Sequence, residues 1–100
     1  MIASVAFPSI RVSPSKSEVN QVLPSAFKIP ASRVYTDAAK CLKETQPDIV
    51  LLCPATAEHG KWTKKVAPFG AHIIIEKPFA ATLKEADEMI KACEEAGVLL

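Results

Sequence analysis

Glycine is scarce in this chain: there are three in 100 residues, at Gly60, Gly70 and Gly97. They form neither G-x-G-x-x-G nor G-x-x-x-x-G-K. A tight turn that cradles phosphates needs residues without a Cβ, so the usual pyrophosphate-binding turn is excluded. Cysteine is equally sparse, with Cys41, Cys53 and Cys93. The odd number and the absence of C-x-x-C spacing argue against a disulfide framework or a zinc site and fit a reducing compartment. Charge of one sign is also missing: 12 Lys and Arg stand against 11 Asp and Glu, for a net charge of +1. Such a chain has no electrostatic footprint for nucleic acid or an anionic membrane. No run approaches the roughly 20 apolar residues of a membrane span. The stretch from Met1 to Ile10 lacks a charged n-region, is broken by Pro8 and does not read as a signal peptide. The expectation is a soluble, cytoplasmic domain.

What is present is a globular balance of 49% hydrophobic and 23% charged residues. Residues 2–6 read as a short strand. Ser15-Lys16-Ser17-Glu18 is a capping box that would start a helix through Val19, Val22 and Leu23, ended by Pro24. Arg33 to Tyr35 reads as a strand, and Asp37 as the cap of a helix from Ala38 to Thr45 that stops before Pro47. Asp48 to Cys53 is a continuous apolar run between Pro47 and Pro54, the pattern of a strand covered on both faces. A helix is expected from Ala57 to Val66, with Trp62 and Val66 on its packed face. Gly70 turns the chain into a second buried strand, His72 to Ile75. Thr82-Leu83-Lys84-Glu85 is a second capping box. It opens a helix with Leu83, Ala86, Ile90 and Cys93 at helical spacing, Met89 beside them, and Asp87 and Lys91 as an i,i+4 pair. Gly97 ends it, and Val98 to Leu100 opens a further strand.

Strands start about 25 residues apart with helices between them, which argues for an α/β fold with a doubly wound parallel sheet. In such sheets ligands bind beyond the carboxyl ends of the strands. Two segments therefore sit at the functional edge: Pro54 to His59, and Glu76-Lys77-Pro78. Pro78 restricts the backbone of Lys77 and helps aim its side chain. A lysine there serves as a proton donor or acceptor, and partial burial or a nearby cation would lower its pKa. On pattern alone the tripeptide is equally a solvated pair closing a strand. His59 sits where helix N–H groups face the ligand edge, and it reads either as a ligand contact or as a solvent-facing or capping residue. Thr56 offers a hydroxyl or a cap. Trp62 and His72 read as structural, Cys53 lacks a base, and the acidic group Glu85, Asp87, Glu88, Glu94 and Glu95 reads as a solvated helix face.

Taken together, these residues resemble the Gfo/Idh/MocA oxidoreductase family. The matching segments are Val34-Tyr35-Thr36-Asp37, Asp48 to Pro54 with His59, Gly70 to Pro78, Thr82 to Glu88, and Glu95 to Val98. The family spaces its proline four residues before the histidine, where here Pro54 precedes His59 by five. The resemblance implies residues 32–100 as the latter part of an NAD(P)-binding Rossmann domain, lacking the first strand and the Gly-rich turn. Residues 1–31 match poorly and leave room for the second strand and its helix; the substrate domain is absent. It also implies NAD or NADP as cofactor, a sugar-like or polyol substrate and hydride transfer. Lys77 would be the catalytic proton-transfer residue and Glu76 would lie near the nicotinamide ribose. Pro54, Thr56, His59 and Pro78 would line the cofactor edge, and no residue would bind metal. The chain would be a fragment, inactive by itself. Two other readings stand beside this one: a non-catalytic nucleotide-binding or regulatory member, and a degenerate domain that acts through protein association, including with itself.

Overall fold

A computed structural model of the chain describes residues 2–4, 10–12 and 31–100. Five strands form one sheet: β1 (Ile2–Ser4), β2 (Ile10–Val12), β3 (Val34–Tyr35), β4 (Ile49–Leu52) and β5 (His72–Ile75). Their order is β3-β2-β1-β4-β5, the strand order of a dinucleotide-binding α/β fold. β2 pairs parallel with β3, and β4 with β5. The middle strand differs, because β1 runs antiparallel to both of its neighbours. The place of the fold's first strand is thus filled, but from the opposite direction. Only residues 5–9 separate β1 from β2, too few for the helical crossover that parallel strands need. The helix expected after Ser15 lies outside the described residues.

Among the described residues three helices follow the strands, and local chemistry sets their ends. In α1 (Ala38–Thr45) the Asp37 carboxylate accepts from Lys40 N, and Gln46 closes the helix in the left-handed region just before Pro47. α2 (His59–Val66) starts two residues later than expected, because a 3-10 turn, Thr56–Glu58, precedes it. A second 3-10 turn, Ala67–Phe69, leads to Gly70, whose φ of 81° is open to glycine at little cost. In α3 (Leu83–Ala96) the Thr82 hydroxyl accepts from Glu85 N, and Gly97 at φ 68° caps the end.

All three helices feed one core. Val50 and Leu52 of β4 are fully buried, Ile73 of β5 joins them, and Leu42, Cys41, Val66, Ala67 and Cys93 pack against them. Trp62 packs on this cluster, as expected, with the Lys65 ammonium 5.0 Å from its ring. Three expectations are corrected. Among the described residues the helices pack on the face of β4 and β5 that carries Val50, Leu52 and Ile73, and Ile74 on the other face is 53% exposed. In α3 the buried stripe is Met89 and Cys93, flanked by half-buried Glu85, Ala86, Ala92 and Ala96. Leu83 and Ile90 turn outward instead. Lys91 pairs with Glu95 rather than Asp87. Beyond α3, Ile73 N donates to Leu99 O and Leu99 N to His72 Nδ1, so the chain begins to line β5.

Leu52→Ala should cost about 3 kcal/mol in urea unfolding, since it opens a cavity in a closed core. Ile74→Ala on the open face should stay within about 0.5 kcal/mol; an equal loss at both positions would refute the one-sided packing. Burial raises the Cys41 and Cys93 thiol pKa values above the ordinary range. The unfolded chain then loses these protons first as pH rises, so their contribution to stability is full below the ordinary thiol pKa and falls above it. A thiol reagent under native conditions should label exposed Cys53 promptly, and Cys41 and Cys93 only on unfolding.

Candidate functional site

β4 and β5 end side by side, with Leu52 in register with Ile75. One further ladder bond, Glu76 N to Leu52 O at 3.1 Å, carries the pairing past the strand ends. Beyond it the two loops diverge, one through Cys53 and Pro54, the other through Glu76, Lys77 and Pro78. The Glu76 carboxylate accepts from the backbone N of Lys77 at 3.1 Å, and the Lys77–Pro78 peptide is cis. Glu76, Lys77 and Pro78 are all exposed. Among the described residues the Lys77 ammonium makes no ion pair, and the bridges present lie elsewhere. An unpaired ammonium at a strand end is open to a ligand oxygen.

His59 joins the two loops. Its ring is 1% exposed. Nδ1 lies 3.1 Å from Phe79 O and Nε2 3.2 Å from Pro54 O. Both partners are acceptors, so a neutral ring, with one N–H, donates to one carbonyl at a time. The ring is buried, so the solvent-facing expectation is corrected. Thr56 is half-buried and opens the 3-10 turn, its carbonyl accepting from His59 N. The residues expected at the edge, Pro54, Thr56, His59, Glu76, Lys77 and Pro78, are therefore brought to one end of two adjacent strands.

The structure adds Glu85, which belongs to the packed face rather than the solvated one. Its carboxylate accepts from Gly60 N at 3.2 Å and from Ala81 N at 2.9 Å. The N–H groups at the start of α2 were expected to face a ligand, but that of Gly60 is engaged within the chain. A Cβ at position 60 would stand 2.7 Å from Glu85 Cγ and Oε1, so this close approach requires glycine. The Thr82-x-x-Glu85 spacing signalled a helix start, but a partner 25 residues upstream leaves no local mark. Gly60 immediately after His59 was the available hint. Among the described residues no group of His, Cys, Asp and Glu could hold a metal ion.

The model of an oxidoreductase family with an NAD-binding Rossmann fold matches residues 9–100. The chain belongs to the Gfo/Idh/MocA family. Among its relatives, the D-apiose dehydrogenase of Paraburkholderia graminis is 41% identical over 68 residues, covering 68% of this chain and 18% of that protein. The NADP-dependent scyllo-inositol 2-dehydrogenase IolU of Bacillus subtilis is 32% identical over 75 residues, 75% of this chain and 23% of that one. Among solved structures, the WlbA dehydrogenase of Bordetella pertussis, in complex with NADH and UDP-GlcNAcA, superposes with a TM-score of 0.75 at 26% identity, covering 87% of this chain and 26% of that chain. This Gfo/Idh/MocA chain thus spans about a fifth to a quarter of the length of these relatives.

His59→Phe keeps the bulk of the ring and leaves the Pro54 and Phe79 carbonyls without its donor. It should cost about 2 kcal/mol in urea unfolding. His59→Gln, which restores a donor, should recover part of that loss; equal losses in the two variants would show that the ring only fills space.

Proposed function

We propose that the strand-end edge is the nicotinamide side of an NAD(P)-dependent oxidoreductase. The enzyme would move a hydride to or from a sugar, polyol or related carbon–oxygen bond, and this chain would be a part of it. The observation that carries the reading is Lys77, an exposed ammonium at the end of β5 with no ion pair among the described residues, beside Glu76 and one strand from Pro54. As a neutral amine, Lys77 accepts the proton of the substrate hydroxyl while the carbon is oxidised. As an ammonium it returns that proton to the oxygen in the reverse direction. Glu76 lies toward the nicotinamide ribose. Pro54, Thr56 and Pro78 line the cofactor edge, and His59 keeps that edge in shape from below. When bound, the dinucleotide supplies the hydride chemistry.

The described residues fit the nicotinamide end and not the pyrophosphate. Gly60 N is taken by Glu85, and Gly70 and Gly97 serve as left-handed caps. β1 brings Ile2 to the C-terminal end of β4, where the usual fold has a strand running into a Gly-rich turn. The 100-residue chain should therefore bind NADH or NADPH weakly and not turn over. Micromolar affinity in a fluorescence titration, or any dehydrogenase activity, would contradict this. In a version extended to the length of its relatives, Lys77→Ala should lower turnover by about 10²–10⁴-fold with cofactor affinity retained. Unchanged turnover would overturn Lys77 as the proton-transfer residue, and no turnover in the extended parent with cofactor bound would favour a role in nucleotide binding alone.

A second reading is favoured by the apolar surface. Ile74 is 53% and Leu83 87% exposed, and in this reading the chain acts by association with a partner or a second copy. Size-exclusion chromatography separates the two readings. A monomer that answers NADH supports the first, and concentration-dependent association without any response to NADH supports the second.

A further inference from the structure

The segment Phe79–Ala81, which follows Lys77 and Pro78, is held at two points. His59 approaches the carbonyl of Phe79. Two residues on, the Ala81 N–H is bound by Glu85 Oε2 at 2.9 Å. The other oxygen of that carboxylate holds Gly60 N at 3.2 Å, so both ties end on the first two residues of α2. Glu85 itself is fixed, because its backbone N donates to the Thr82 hydroxyl at 3.1 Å and it lies one turn before buried Met89. One carboxylate thus chelates two amides from segments 21 residues apart in sequence, Gly60 and Ala81.

We propose that Glu85 is a positioning residue for Lys77. Its carboxylate clamps the Phe79–Ala81 segment to the N-terminus of α2, and with His59 it fixes where the Glu76-Lys77-Pro78 loop leaves β5. Gly60 is the other half of the device, since any side chain there would displace the carboxylate. The clamp stands on geometry alone, while its purpose at Lys77 rests on the reading of Lys77 as the proton-transfer residue.

The test compares the 100-residue chain with its Glu85→Gln, Glu85→Ala and Gly60→Ala variants by amide hydrogen exchange and ¹⁵N relaxation. Glu85→Ala should speed exchange at both Gly60 and Ala81 by at least about tenfold, with the amides of Ile73 and Met89 within about twofold of the parent. Glu85→Gln retains one acceptor oxygen and should leave one of the two amides protected. Gly60→Ala should release Ala81 although Glu85 is untouched and helix propensity is improved. In each variant that releases Ala81, the backbone order of Lys77 should fall, and it should recover with Gln to the extent that Ala81 is held. Exchange unchanged at both amides overturns the clamp. A released Ala81 with Lys77 order unchanged overturns the positioning role. Millimolar NADH added to the parent chain should shift the Lys77 amide resonance, and the Ala variants should weaken that shift. An absent shift in the parent, with the exchange results as expected, counts against the oxidoreductase reading and leaves the clamp standing.

Discussion

The ligand edge hangs on one buried ring. His59 faces the carbonyls of Pro54 and Phe79, which belong to loops after different strands. A ring nitrogen within hydrogen-bond distance of each carbonyl ties both loops to the start of α2. Without the ring, that tie between the two strand ends would be lost. The Glu85 carboxylate extends this constraint by two residues and ties it to the start of α2. The exposed Glu76-Lys77-Pro78 loop is thereby followed by a segment held through a buried ring and a half-buried carboxylate.

Much of the fold was legible because it is written locally. Ile49–Leu52 and His72–Ile75 declare themselves as apolar runs between prolines, glycines and charges. Asp37, Thr82 and Gly97 act as caps through their own side chain or backbone freedom, and each stands where its chemistry predicts. What the pattern could not carry is direction and rotation. Three residues of β1 read as a strand either way round, and only their partners make the strand antiparallel. Leu83 and Ile90 have helical spacing equal to that of Met89 and Cys93, so the choice of buried stripe depends on what α3 meets. Likewise, a four-residue apolar run cannot say whether both of its faces are covered.

The site divides in the same way. Strand ends place residues by topology, so Pro54, Glu76, Lys77 and Pro78 could be assigned to one edge from sequence alone. The long-range ties could not. His59 reaches 20 residues ahead to Phe79, and Glu85 reaches 25 back to Gly60. Glu85 looked like one of five acids on a wet helix face because its neighbours in sequence are charged, whereas its neighbours in space are two backbone amides.

The antiparallel β1 has a mechanical consequence. β2 with β3, and β4 with β5, are two separate parallel ribbons, and among the described residues the rungs between them run through Ile2, Ala3 and Ser4. Each of these residues has a register partner on either side, so the sheet's continuity depends on a seam three residues wide. If that seam parted, two long-range edges would open together, each a ready template for another strand. A three-residue strand in the middle of the sheet therefore decides whether the chain presents one closed surface or two sticky ones.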